Sequence, residues 1–156
     1  MRKSVLFFCA IFFSFSLQAE NYCVHLQMPE GWLKKDESSF TIQDSHFEQD
    51  LYVHELGLVN HQARCRIYSY STTPPSGFKI HENFQEAPSI SYAFPSVEQW
   101  KTSKIVEDNR TFYTGMSYLY LDNFYCIVTI TDQKDESSLM ENAQKMIDAI
   151  KFVPIN

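Results

Sequence analysis

The chain has 156 residues, with 19 acidic against 13 basic side chains, a formal net charge of −6 and only four glycines. Such an acid balance repels nucleic acid and anionic lipid heads, so neither is expected as a partner. Scarce glycine argues against phosphate loops and dinucleotide fingerprints; none of G-x-G-x-x-G, G-x-x-x-x-G-K, G-x-S-x-G or H-E-x-x-H occurs.

The chain begins "MRKSVLFFCAIFFSFSLQAENYC". Arg2 and Lys3 precede an apolar run from Val5 to Phe15, followed by a short polar exit that ends on Ala19. These are the three parts of a secretory signal peptide. The run is about half of the roughly 20 residues that a membrane-spanning helix needs. Cys9 comes too early for a lipid-attachment cysteine, and Cys23 follows the polar and bulky Glu20, Asn21 and Tyr22. The expectation is cleavage after Ala19 and a single domain over 20–156, periplasmic or secreted, with no stable membrane anchor. Loss of Arg2 and Lys3 takes the formal charge from −6 to −8.

Cys23, Cys65 and Cys126 then remain, which in an exported protein suggests one disulfide and one further thiol. No C-x-x-C is present, so a thioredoxin-like redox role has no support.

Alternation predicts a first strand over Tyr22 to Leu26, with Cys23 opposite the apolar side of Tyr22, Val24 and Leu26. "MPEGW" is a turn. Short strands follow at Phe40 to Gln43 and Leu51 to Leu56. Ala63 to Ser71 is a fourth strand, with Ala63, Cys65, Ile67 and Ser69 on one face and Arg64, Arg66, Tyr68 and Tyr70 on the other. "TTPPSG" stops it, because proline cannot donate a ladder hydrogen bond. Phe78 to Phe94 reads as irregular. Ser96 and Gln99 resemble a capping box, which predicts a short helix over Val97 to Lys104.

"TFYTGMSYLYLDNFYCIVTIT" is a hairpin around Asp122-Asn123, residues that tolerate positive φ. Its register pairs Leu121 with Phe124, Leu119 with Cys126, Ser117 with Val128 and Gly115 with Ile130. One face carries Leu119, Leu121, Phe124, Cys126, Val128 and Ile130; the other carries Phe112, Met116, Tyr118, Tyr120, Tyr125 and Ile127. Both are rich in apolar atoms, which predicts a sheet covered on both sides at least in part. Cys65 and Cys126 both fall on core faces and are the favoured disulfide pair, leaving Cys23 as the remaining thiol, near the new terminus and open to solvent. The last helix opens on a Ser138/Glu141 capping box, and its apolar stripe is Leu139, Ala143, Met146, Ile147 and Ile150. Lys145 and Lys151 suit the negative end of its dipole.

With "MPEGW" directly after the first strand and the ending "YCIVTITDQKDESSLMENAQKMIDAIKF", the chain resembles the PsbP-like fold at both ends of the domain. The resemblance implies an α/β/α sandwich on an antiparallel sheet and a binding or accessory role, and it transfers no active-site residues. The expected class is α+β: a mostly antiparallel sheet with a C-terminal helix and a shorter helix, sandwich-like.

Among candidate sites, His46, His54, His61 and Cys65 match no closed metal site, Cys23 and His25 add little, and His54 reads as a solvated strand residue. No metal or cofactor is expected. Asp132, Asp135 and Glu136 read as a turn and helix start, where negative charge is favourable. No nucleophile and base are selected by spacing, so no enzyme activity is expected. Asn109-Arg110-Thr111 is a glycan acceptor only in a eukaryotic secretory path. The aromatic stripe of Tyr118, Tyr120 and Tyr125 with Phe112 is either core beneath a helix or an open platform. In the platform reading Arg64, Arg66, Tyr68 and Tyr70 extend it and hold an anionic ligand. The expected function is a noncatalytic exported binding or accessory module for another exported protein or a small ligand. The competing readings are an envelope enzyme or metal-handling protein using histidine and a thiol, and an inhibitor or immunity-type protein against another exported protein.

Overall fold

The computed structural model describes residues 21–44, 47–70, 78–81, 92–122 and 124–155. The expected leader, its cleavage point, the "TTPPSG" break and His46 lie outside the described residues. The strands are β1 (Asn21–Gln27), β2 (Trp32–Asp44), β3 (Phe47–Leu58), β4 (Ala63–Tyr70), β5 (Phe78–His81), β6 (Ser96–Val97), β7 (Lys101–Glu107), β8 (Arg110–Leu121), β9 (Phe124–Asp132) and β10 (Ile150–Ile155). Between β9 and β10 lies helix α1 (Glu136–Ala149). The class is α+β, mostly antiparallel sheet with one helix among the described residues.

The larger sheet runs β2-β3-β4-β9-β8, and β8 is flanked along its outer edge by β6 and β7 in tandem. The smaller sheet runs β10-β1-β5, with β1 parallel to β5 and antiparallel to β10. "MPEGW" forms the expected turn: Trp32 N–H donates to the Pro29 carbonyl at 3.1 Å, and Gly31 sits at φ 81°, a conformation that costs glycine nothing. The β8–β9 hairpin has the register read from the sequence, from Leu121↔Phe124 to Gly115↔Ile130.

Strand alternation divides the larger sheet into two unlike faces. The inner face carries Leu56, Ala63, Cys65, Ile67, Leu119, Cys126, Val128 and Ile130, all essentially inaccessible to solvent. Helix α1 covers one end of it with Leu139, Ala143 and Met146. The smaller sheet covers the other end, where the rings of Tyr22, Phe124 and Phe152 meet with centroids 4.9 to 6.2 Å apart. Gly115 belongs to this face because the Trp100 ring lies against it: a Cβ there would stand 3.1 Å from Trp100 Cε3.

Several expectations are corrected. Among the described residues helix α1 and the smaller sheet share one side of the larger sheet, and the two layers they make do not show the expected α/β/α sandwich. The short helix over Val97 to Lys104 does not form. Val97 instead ends β6 and Lys101 to Lys104 begin β7, with Glu98 to Trp100 between them, because the β8 edge offers unpaired backbone groups and Asp108-Asn109 closes a hairpin with both φ values positive. Strands two and three are longer than their apolar alternation suggested. Phe78–His81, in the stretch expected to be irregular, is β5.

Helix α1 is capped by Asp135, whose side chain accepts from Ser138 N–H at 2.7 Å; Ser138 is inside the helix and is not the cap. Its last turn holds no basic residue, and Lys151 has passed into β10. Cys65 and Cys126 are buried and carry no disulfide. Cys65 faces Ile130 and Cys126 faces Ser69, four positions along the ladder, or about 13 Å of strand rise. A disulfide tolerates Cα atoms no more than about 7 Å apart. Burial pushes the Cys126 thiol up to about 12 and raises that of Cys65 as well, so both are held protonated. Cys23 is buried at 5% exposure, because both faces of β1 are covered.

Candidate functional site

Among the described residues no element covers the outer face of the larger sheet. Cross-strand pairing arranges its side chains in rows. Tyr68 of β4 faces Ile127 of β9, which faces Tyr118 of β8. Tyr125 faces Tyr120, with exposures of 37% and 43%. Tyr68, Phe112 and Tyr118 are half-buried. Among the described residues no element lies over these rings, so cover on the second side of the sheet is not seen among them. The side chain of Tyr70, at the end of β4, lies outside the described residues.

Toward the opposite end of the same face the rows become polar and cationic. Arg66 faces Glu55 on one side and Thr129 on the other; Arg64 faces Thr131. Arg110 starts β8 and shares their face by alternation, being two residues from Phe112. Arg64, Arg66 and Arg110 line one depression of about 420 Å³, together with Glu55, Gln62, Phe112, Thr129, Thr131 and Gln133. Arg66 Nε stands 3.6 Å from Glu55 Oε2. A side-chain hydrogen bond to Tyr68, followed by the charge of Glu55, holds the Arg66 guanidinium above its ordinary pKa. Sequence reasoning assigned Arg64 and Arg66 to this face and missed Arg110, which reaches it from another strand.

Of the candidate metal ligands that are described, His54 and Cys65 share the inner face as diagonal neighbours, His54 pairing with Ile67 and Cys65 with Leu56, while His61 is exposed. His54 lies on the inner face of β3 at 3% exposure, which corrects the solvated reading, and His61 occupies an exposed turn at φ 60°. Burial is the main cause that pushes the His54 imidazole down to about 4. Among the described residues no group of three or more His, Cys, Asp or Glu side chains is placed to hold a metal ion. The carboxylates at the end of β9 have structural partners. Asp132, fully buried, accepts from Ser138 Oγ at 2.8 Å, Asn142 Nδ2 at 2.9 Å, Gln62 Nε2 at 3.3 Å and the Lys134 backbone N–H at 2.8 Å. This network fastens the ends of β4 and β9 to α1. A second hollow, of about 600 Å³, opens between the end of β1 and α1 beside Gln27 and Lys145. There Lys145 is engaged by Glu141 at 2.9 Å.

No family model and no curated protein matches this chain. Among solved structures it is similar to LpqN, described as involved in cell envelope biogenesis of Mycobacterium tuberculosis, at 10% identity and a TM-score of 0.37. The match covers 89% of this chain and 88% of that one. An overlap of that depth carries no functional argument, and nothing in it supports the PsbP-like resemblance. Among the described residues no helix is long and apolar enough to cross a membrane.

Proposed function

We propose that the protein is an exported, noncatalytic binding or accessory module that works through the outer face of its larger sheet. The observation that carries this reading is the row of Tyr68, Tyr118, Tyr120 and Tyr125, over which no described element lies and in which Tyr120 and Tyr125 are exposed, continuous with Arg64 and Arg66. Tyrosine combines a large apolar ring with a polar tip and loses little rotamer freedom on contact, which suits recognition. A sheet face that no described element covers is also the kind of surface that marks an interaction site. Export rests on the leader pattern of residues 1–19.

The test is capture from the native exported fraction by the immobilised mature protein, compared with Tyr120→Glu. A carboxylate at this exposed position should reduce specific capture at least tenfold while the melting temperature is kept. Equal capture by both proteins would remove the outer face from the function. Loss of capture is the outcome that supports it.

A further inference from the structure

The chain contains four arginines: Arg2, in the expected leader, and Arg64, Arg66 and Arg110. The last three line the same depression on the outer face. They come from two strands, β4 and β8, that flank β9, and from positions up to 46 residues apart in sequence. Nine lysines serve elsewhere in the chain, and none lines this hollow. One carboxylate, Glu55, faces the three guanidiniums and engages Arg66. Among the described residues neither Arg64 nor Arg110 has an acidic partner within 4.0 Å. Glu107 is the cross-strand partner of Arg110 but is not within 4.0 Å of it. On a chain of net charge −6, three guanidiniums against the one carboxylate that lines the depression are a local excess of positive charge among the described residues.

Guanidinium differs from ammonium in the way this site requires. It stays charged at any working pH and presents a planar fork that matches two oxygens of a phosphate, sulfate or carboxylate. The hydroxyls of Thr129 and Thr131 and the amide of Gln133 supply neutral donors on the same wall. Phe112 and, further along the face, Tyr68 and Tyr118 offer an apolar bed beside it.

We infer that Arg64, Arg66 and Arg110 form an oxyanion-binding pocket for a small ligand that carries a phosphate, sulfate or carboxylate group, its less polar body lying along the tyrosine rows. The inference rests on the outer face being the binding surface and adds the chemical class of what it holds. Arg64 and Arg110 engage the anion directly. Arg66, oriented by Glu55 and Tyr68, supplies charge at the rim.

The experiment is a titration of the mature protein with inorganic phosphate, sulfate and citrate at constant ionic strength set by sodium chloride, read by amide and arginine Nε–H chemical shifts. Saturable shifts centred on Thr129, Thr131 and Arg110 are expected. Arg64→Gln and Arg110→Gln should each weaken binding about tenfold, the worth of one charge-assisted hydrogen bond. Arg64→Lys keeps the charge and loses the fork, so it should fall between wild type and Arg64→Gln; it also serves if Arg64→Gln does not fold. Absence of saturable shifts, or equal affinity in the variants, overturns the pocket. Arginine-dependent binding only to phosphatidylglycerol vesicles or to a poly-glutamate peptide, with none to free anions, overturns the small-ligand assignment. Such failures are distinguishable from failure of the broader reading, because the Tyr120→Glu capture comparison does not depend on these arginines.

Discussion

Two buried polar residues show how much a single position can hide. His54 is enclosed on the inner face of β3, and Glu37 Oε2 stands 4.0 Å from its Nδ1. Glu37 is itself held below the usual carboxylate range, chiefly by its hydrogen bond to Lys34. The native imidazole titrates near 4 against an ordinary value of 6.5. The unfolded chain therefore takes up a proton first as pH falls. The stability contributed by neutral His54 is complete above about pH 6.5 and is lost progressively down to about pH 4, on the order of 2–3 kcal/mol. Urea unfolding at pH 7.5, 6, 5 and 4 should show that decline, and His54→Leu should flatten it; an unchanged slope in the variant would contradict the assignment. Asp132 is the converse case. Its sequence context reads as a turn and helix start, yet it is buried and is the most fully hydrogen-bonded carboxylate described. Only the packing of α1 against the strand ends creates the donors around it.

At the scale of elements, alternation on β8 makes neighbours into opposites. Leu119 is sealed on the inner face, and Tyr120, one residue on, is 43% exposed on the outer face. Leu119→Glu should abolish cooperative folding, because an unpaired carboxylate would be buried. Tyr120→Glu should change stability by no more than about 0.5 kcal/mol. Thermal melts followed by circular dichroism make the comparison, and equal destabilisation by both would deny the two-faced sheet. The β8–β9 hairpin was legible because its register is carried by residues adjacent in sequence and by the Asp122-Asn123 turn. Asp108-Asn109 bears the same turn signature between β7 and β8, but Ser96 and Gln99 suggested a helix there. The decision belonged to the β8 edge, which pairs with seven residues of β7 and two of β6. The disulfide expectation failed for a related reason: face alone can be read from alternation, but the position of β4 along β9 cannot.

For the molecule as a whole, the joint between the two sheets is the decisive contact. Phe152 is inaccessible to solvent and meets Phe124 edge-on at 4.9 Å, while Ala93 and Phe152 exchange backbone hydrogen bonds of 2.7 and 3.0 Å. Phe152→Ala should cost about 3–5 kcal/mol. Urea denaturation would detect it as a lower midpoint with an unchanged slope, and a loss below about 1 kcal/mol would mean that the sheets are not held together there. Phe152 to Ile155 is too short a run to assign from sequence, and Ile150, read as the end of the helix stripe, begins β10 instead, since this strand exists through its pairing with β1, more than 120 residues away. By itself the sequence determined which segments alternate, where the longest hairpin turns and where α1 lies, because these depend on neighbours a few residues apart. Only the tertiary structure decided that Tyr120 and Tyr125 are exposed on the outer face, that Arg110 joins Arg64 and Arg66, and that His54 and Asp132 are buried. Those outcomes depend on which distant strands pair and which face the helix covers, and the free energy of burial that selects them is a property of the assembled layers.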